Sequence, residues 1–88
     1  MKVLILYRPQ SEYARRVEEF THDFKRQYPD KPIDVEDIDT REGSAMASIY
    51  DLMTQPAVLA LKDDGQVVQS WIGDQMPLMN EIAYYANA

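Results

Sequence analysis

Cysteine is absent from this 88-residue chain. Its absence excludes disulfide bonds, thiolate catalysis and cysteine-ligated zinc, and it leaves the redox compartment open. Histidine occurs once, as His22 among charged neighbours. Without a cysteine or a second histidine it completes no metal site and reads as a surface side chain. Basic residues are few: nine Lys and Arg against 15 Asp and Glu give a net charge of −6. That balance disfavours nucleic acid and anionic membranes as partners. No apolar run approaches a membrane span. Met1-Lys2 and the five apolar residues after it are too short for the core of a signal peptide and lack a small-residue cleavage site. Repeats, linkers and low-complexity segments are missing too. The expectation is one cytoplasmic domain over residues 1–88 with a modest core, since a chain this short buries only about 60 to 65% of its unfolded surface.

What is present is a succession of apolar segments and breakers. Val3-Leu4-Ile5-Leu6-Tyr7 reads as a strand, and after Arg8-Pro9-Gln10 a helix is predicted from Ser11, with Tyr13, Val17, Phe20 and Phe24 on one stripe. Tyr28-Pro29-Asp30-Lys31-Pro32 breaks that pattern, because proline removes a donor and turns its predecessor away from helix. Ile33, Val35 and, after a slip, Ile38 read as a second strand. Ser44 is a plausible N-cap for a short helix that buries Met46, Ile49, Tyr50 and Met53. Ala57 to Leu61 and Gln66 to Ile72 flank Asp64-Gly65, a strong hairpin signal. Gly73-Asp74 closes the hairpin, and Pro77 suits the first turn of a last helix buried through Leu78, Met79, Ile82 and Tyr85. The order is βαβαββα, which needs a parallel pair for the βαβ unit and an antiparallel hairpin in the same sheet.

Several of these segments occur in a known arrangement. Tyr7-Arg8-Pro9-Gln10-Ser11-Glu12-Tyr13-Ala14 is similar to the strand, loop and helix corner of glutaredoxins, with Ser11 and Ala14 where the two cysteines of Cys-x-x-Cys would stand. Ile38-Asp39, the strand led by Pro56, the Asp64-Gly65 turn and Ile72-Gly73 follow in thioredoxin order. The chain thus resembles the thioredoxin and glutaredoxin superfamily over nearly its whole length. The resemblance implies a thioredoxin-like α/β fold, a four-stranded mixed sheet flanked by three helices. It also implies a cis Gln55-Pro56 bond whose backbone edge stays open to add an extended peptide, flanked by Tyr13, Ile72 and Gly73. Dithiol exchange is chemically impossible without cysteine.

Each candidate residue has a plain structural role beside a functional one. Ser11 fits a helix N-cap with Glu12 in the first turn; the alternative is a hydroxyl that meets a ligand thiol, as resemblance to serine-type glutathione transferases would imply. Gln69-Ser70 resembles the pair by which those enzymes hold the glutathione glutamyl group, although here it reads as alternating positions on an outer strand. Arg15 and Arg16 are placed to pair with Glu12, Glu18 or Glu19. Arg8 stands where glutaredoxins carry a lysine that helps hold the glutathione carboxylate. Glu36, Asp37 and Asp39 form a solvated, helix-capping cluster without the spacing of a calcium loop. Val67, Gln69 and Trp71 share one strand face, which leaves Trp71 either core or exposed anchor.

The expectation is therefore a redox-inactive interaction module, not an enzyme, without cofactor, metal or catalytic residue. It would bind a protein or peptide partner through Arg8, Ser11, Tyr13, Gln55, Pro56, Ile72 and Gly73, as a monomer or a weak homodimer; a further possibility is a purely structural subunit that dimerises through the outer strand. The alternative is a glutathione or small-thiol binding protein related to the N-terminal domains of serine-type glutathione transferases.

Overall fold

The computed structural model describes residues 1–50, 56–73 and 76–86. The elements run β1 (Lys2–Tyr7), α1 (Ala14–Gln27), β2 (Ile33–Asp37), α2 (Arg41–Ile49), β3 (Ala57–Leu61), β4 (Val67–Ile72) and α3 (Met79–Tyr85). The strands form one sheet in the order β2-β1-β3-β4. β1 lies parallel to β2 and antiparallel to β3, and β4 lies antiparallel to β3. This is the expected βαβαββα order and mixed sheet.

β1 and β3 are central and apolar on both faces, so their alternation sorts side chains into two layers. Val3, Ile5 and Val58 pack with Val17 and Phe24 of α1 and with Ile82 and Ala83 of α3. Leu4, Leu6, Ala57, Leu59 and Leu61 form the other layer, which Met46 and Tyr50 cover from the α2 side. α1 holds its stripe together by rings, with Phe20 and Phe24 centroids 6.4 Å apart and Phe24 and Tyr28 5.1 Å apart. Its last carbonyl cap is the Tyr28 N–H donated to Phe24 at 2.8 Å, just before the Pro29 to Pro32 break. The β3–β4 hairpin turns at Gly65, whose φ of 90° suits glycine, and the Lys62 carbonyl accepts the Gly65 N–H at 2.9 Å. No helix among the described residues is long and apolar enough to cross a membrane.

All three helix starts differ from expectation. α1 begins at Ala14 with Tyr13 as N-cap residue, so neither Ser11 nor Glu12 belongs to its first turn. α2 begins four residues earlier than the reading with Ser44 as N-cap, because Thr40 Oγ1 accepts the Gly43 N–H at 3.0 Å and supplies the cap. Its Ile49 is not buried but 72% exposed, and Met53 lies outside the described residues. Pro77 precedes α3 and is buried, whereas Leu78 occupies the N-cap position and is 67% exposed. The Leu78 N–H is satisfied by Glu81 Oε1 at 3.1 Å, a side-chain cap that frees Leu78 from the core. A register shift between Ala60 and Leu61 sets Val67 opposite Leu61, on the face away from Trp71, and undoes the expected Val67, Gln69, Trp71 stripe. Trp71 is half-buried, with its ring edge-on to Tyr85 at 5.8 Å.

Gly43 fixes how α2 meets the sheet. A methyl group on its Cα would overlap the Asp37 carbonyl and reach 3.0 Å from the Ile38 Cα, both of them backbone atoms that cannot rotate aside. Alanine in a helix interior is ordinarily worth about 1 kcal/mol over glycine. Here overpacking against backbone, typically about 1–3 kcal/mol or more, outweighs that gain. Gly43→Ala is expected to lower stability in urea unfolding by about 1–3 kcal/mol, and a midpoint at or above wild type would show that α2 does not dock through this glycine.

Candidate functional site

The C-terminal end of β1, the start of β3 and the end of β4 meet at one end of the sheet, since Leu6 pairs with Ala57 and Ala57 with Ile72. The loop from β1 to α1 folds around Arg8. Its N–H donates to Tyr13 Oη at 3.2 Å, its carbonyl accepts the Ser11 hydroxyl, and its Nε donates to Asp39 Oδ1 at 3.1 Å. The Ala14 N–H then donates to the Ser11 carbonyl at 3.3 Å, a turn that runs straight into α1. Ser11 thus buttresses the loop and does not cap the helix. Tyr13 is half-buried against the α1/α3 layer.

The second half of the site is apolar. Pro56 is fully buried and its carbonyl accepts the Gly73 N–H at 2.9 Å, tying the end of β4 to the start of β3. Ile72 is 47% exposed. Gly73 has a φ of 109°, and a Cβ built there would have no atom within 4 Å. Trp71, Ile72, Met76, Pro77, Leu78 and Glu81 line an open cleft beside it. Gln55, and with it the Gln55-Pro56 bond, lies outside the described residues.

The structure therefore gathers Arg8, Ser11 and Tyr13 into one hydrogen-bonded set and Pro56, Ile72 and Gly73 into another, both at the same end of the sheet. Sequence reasoning missed Asp39 as the partner of Arg8, 31 residues away, and the contribution of Met76 and Leu78 to the apolar rim. The only signal for Leu78 was an apolar residue just after a proline. Arg15 pairs with Glu19 at 3.1 Å, within the expected set. Asp37 Oδ1 accepts the Asp39 N–H at 2.8 Å and the Asp37 carbonyl accepts the Thr40 hydroxyl at 2.7 Å, so this part of the acidic cluster caps the entry to α2. Among the described residues no group of three or more His, Asp or Glu is arranged to hold a metal ion. The Gln69-Ser70 pair stays within β4, with Gln69 Oε1 accepting the Ser70 N–H at 3.0 Å. No helix starts at Ser70, so the transferase-like reading of that pair loses its geometry.

Solved structures share this fold. Mitochondrial thioredoxin 3 of Saccharomyces cerevisiae, in its oxidised form, matches with a TM-score of 0.69 at 19% identity, over 96% of this chain and 74% of that one. Deadhead, the germline-specific thioredoxin of Drosophila melanogaster, matches with a TM-score of 0.70 at 18% identity, over 93% and 73%. Thioredoxin O2 of Arabidopsis thaliana, in its oxidised state, gives 0.68 at 16% identity, over 94% and 69%. The chain has the thioredoxin-like fold. No family model matches the sequence, and no curated protein matches it. This thioredoxin-like domain carries no cysteine and so no Cys-x-x-Cys pair.

A second polar contact stands beside the corner, on α1. Tyr7 Oη donates to Glu18 Oε2 at 3.0 Å. Burial raises the Tyr7 pKa above the ordinary tyrosine value, and the hydrogen bond to Glu18 and the negative charges of Glu18 and Asp37 raise it further. The folded state therefore keeps this proton after the unfolded chain has lost it. The resulting stabilisation is complete below the unfolded tyrosine pKa of about 10 and is lost as pH rises through the folded value. Wild type should lose stability above about pH 10 more steeply than Tyr7→Phe in paired unfolding curves, and parallel curves would disprove the linkage.

The turn at Ser11 also makes a geometric test possible. An i to i+3 bonded turn keeps its end Cα atoms within about 7 Å, inside or near the roughly 4.4–6.8 Å of disulfides. Ser11→Cys combined with Ala14→Cys should form an intramolecular disulfide under mild oxidation, read by loss of free thiol without dimer on a non-reducing gel. Persistent free thiols would mean that positions 11 and 14 do not occupy the two cysteine places.

Proposed function

We propose that this domain is a redox-inactive, cytoplasmic interaction module, not an enzyme, that takes an extended peptide or protein strand beside Pro56. The observation that carries this reading is the exposed apolar rim of Ile72 and Leu78, with Met76, at the sheet end where Pro56 is buried. Contiguous exposed apolar groups rimmed by polar ones mark interaction sites. The open space at Gly73 lets another backbone approach closely. Tyr13 would border the bound strand on the α1 side, and the Arg8 guanidinium would lie near any carboxylate it carries. Arg8 is already paired with Asp39, but both partners are half exposed. Such a pair is worth only about 0–1 kcal/mol, so a ligand carboxylate could take its place at little cost.

The glutathione reading draws less support. The Ser11 hydroxyl is spent on the Arg8 carbonyl and the Gln69-Ser70 pair is a strand, so two of its three polar contacts would have to be rebuilt.

Selection of phage-displayed peptides on the immobilised domain tests the proposal. Extended, partly apolar peptides should be enriched, and Ile72→Asp and Leu78→Asp should each weaken the selected peptide at least about tenfold, the effect of losing an interface anchor. Because both side chains are exposed, stability should change by no more than about 0.5 kcal/mol. Gly73 is unsuited to this test, since its positive φ would strain any replacement. Equal binding by both variants would refute the rim. Saturable glutathione binding below about 1 mM that depends on Ser11 would replace the proposal with the small-thiol reading.

A further inference from the structure

The two edges of the sheet differ in chemistry. β2, on one side, carries Asp34, Glu36 and Asp37 and is preceded by Pro32. Charge and proline are what keep an edge from pairing. β4, on the other side, pairs with β3 alone among the described residues, and from Gln66 to Gly73 it contains neither proline nor any ionisable side chain. In a chain of net charge −6 that is a neutral strip. Val67, Val68 and Ile72 are all exposed along it.

The direction of its backbone groups follows from one bond. Gly73 donates to the Pro56 carbonyl, and bonded and non-bonded pairs alternate along an antiparallel ladder. Gly73, Trp71 and Gln69 therefore turn their backbone groups toward β3, while Ile72 and Ser70 turn theirs outward. Consistent with this, the Ser70 N–H donates to the neighbouring Gln69 side chain.

We propose that β4 pairs antiparallel with β4 of a second copy of this chain, about a two-fold axis at Ser70. An axis at Ser70 sets an outward-facing residue opposite itself, as a two-fold bonded pair requires. The two Ser70 exchange both backbone bonds, in place of their bonds to Gln69. Trp71 meets Gln69 of the second copy, and the regular pairing ends at Val68, which the register shift leaves without a partner on β3. A two-fold interface of this kind presents the same patch on both subunits. Elsewhere two copies bearing −6 each repel, and this neutral edge is where they approach without like charges opposed. The open cleft between β4 and α3, lined by Gln69, Trp71, Asn80, Glu81, Tyr84 and Tyr85, borders the same edge; Glu81 is its one charged residue, and Tyr84 stands 69% exposed there. The second copy would cover it.

Ile72 belongs to both surfaces, so the edge is probed at Ser70 and the rim at Leu78, and failure of either one leaves the other standing. Sedimentation velocity between about 1 μM and about 1 mM should show a monomer–dimer equilibrium. Ser70→Lys, which sets two ammonium groups across the axis, should weaken the dimer several-fold to about tenfold with an unchanged circular dichroism spectrum. Ser70→Cys introduces the sole thiol of the chain, and the Cα atoms of a bonded pair lie about 5.5 Å apart, within disulfide range. It should therefore cross-link to a covalent dimer under diamide far faster than Ser48→Cys on exposed α2. A monomer throughout the concentration range would overturn the proposal. So would a dimer indifferent to Ser70→Lys, or one in which Ser70→Cys cross-links no faster than Ser48→Cys.

Discussion

The antiparallel pairing of β1 with β3 is the interaction on which the domain rests. Val3 to Leu6 and Ala57 to Leu61 are buried without exception. They contain no charge, and their alternating side chains found both apolar layers at once. Fully burying one Val, Leu or Ile is worth about 1.5–3 kcal/mol, as an upper estimate. The ion pairs that the structure shows are all substantially exposed, which limits each to about 1 kcal/mol or less. Shape and apolar pattern therefore decide the fold, and the charges decorate it. The candidate site sits at the ends of these strands, where the apolar layers run out and backbone groups must find partners.

The core was legible because it obeys local periodicity. An uninterrupted apolar run can be read at Val3 to Tyr7 without knowing its neighbours, and the Tyr13, Val17, Phe20, Phe24 spacing announces a helix face. The helix starts were not legible, because caps are chosen by tertiary contact. Ser11 has the chemistry of a cap, yet its hydroxyl goes to the Arg8 carbonyl once the loop closes. Ser44 has it too, but the backbone of Asp37 and Ile38 presses on Gly43 and brings α2 in one turn earlier, behind Thr40. The strand face of Val67 depended on a bulge that no residue type advertises. At the site, the positions came from motif order, whereas the Arg8 to Asp39 contact joins two segments that only the parallel β1–β2 pairing makes neighbours.

Structures that share this fold at 16–19% identity are thioredoxins. A fold does not carry its chemistry with it. At this end of its sheet the present chain has a loop braced on Arg8, a buried proline bonded across to a glycine, and an apolar rim facing outward. Those features need no sulfur.

The central position of β1 has a consequence for how the chain acquires its structure. β2 reaches β1 through α1 alone, but β3, its other neighbour, is separated from it by most of the sequence, as the pairing of Lys2 with Leu61 illustrates. Loop closure over such a span costs entropy before any contact rewards it, which slows folding. While the chain is being made, the edge of β1 away from β2 therefore waits unpaired until Ala57 to Leu61 has emerged. During that interval the β1-α1-β2 unit is a half-finished sheet with an open apolar edge, the form in which a small domain is most exposed to aggregation and to chaperones.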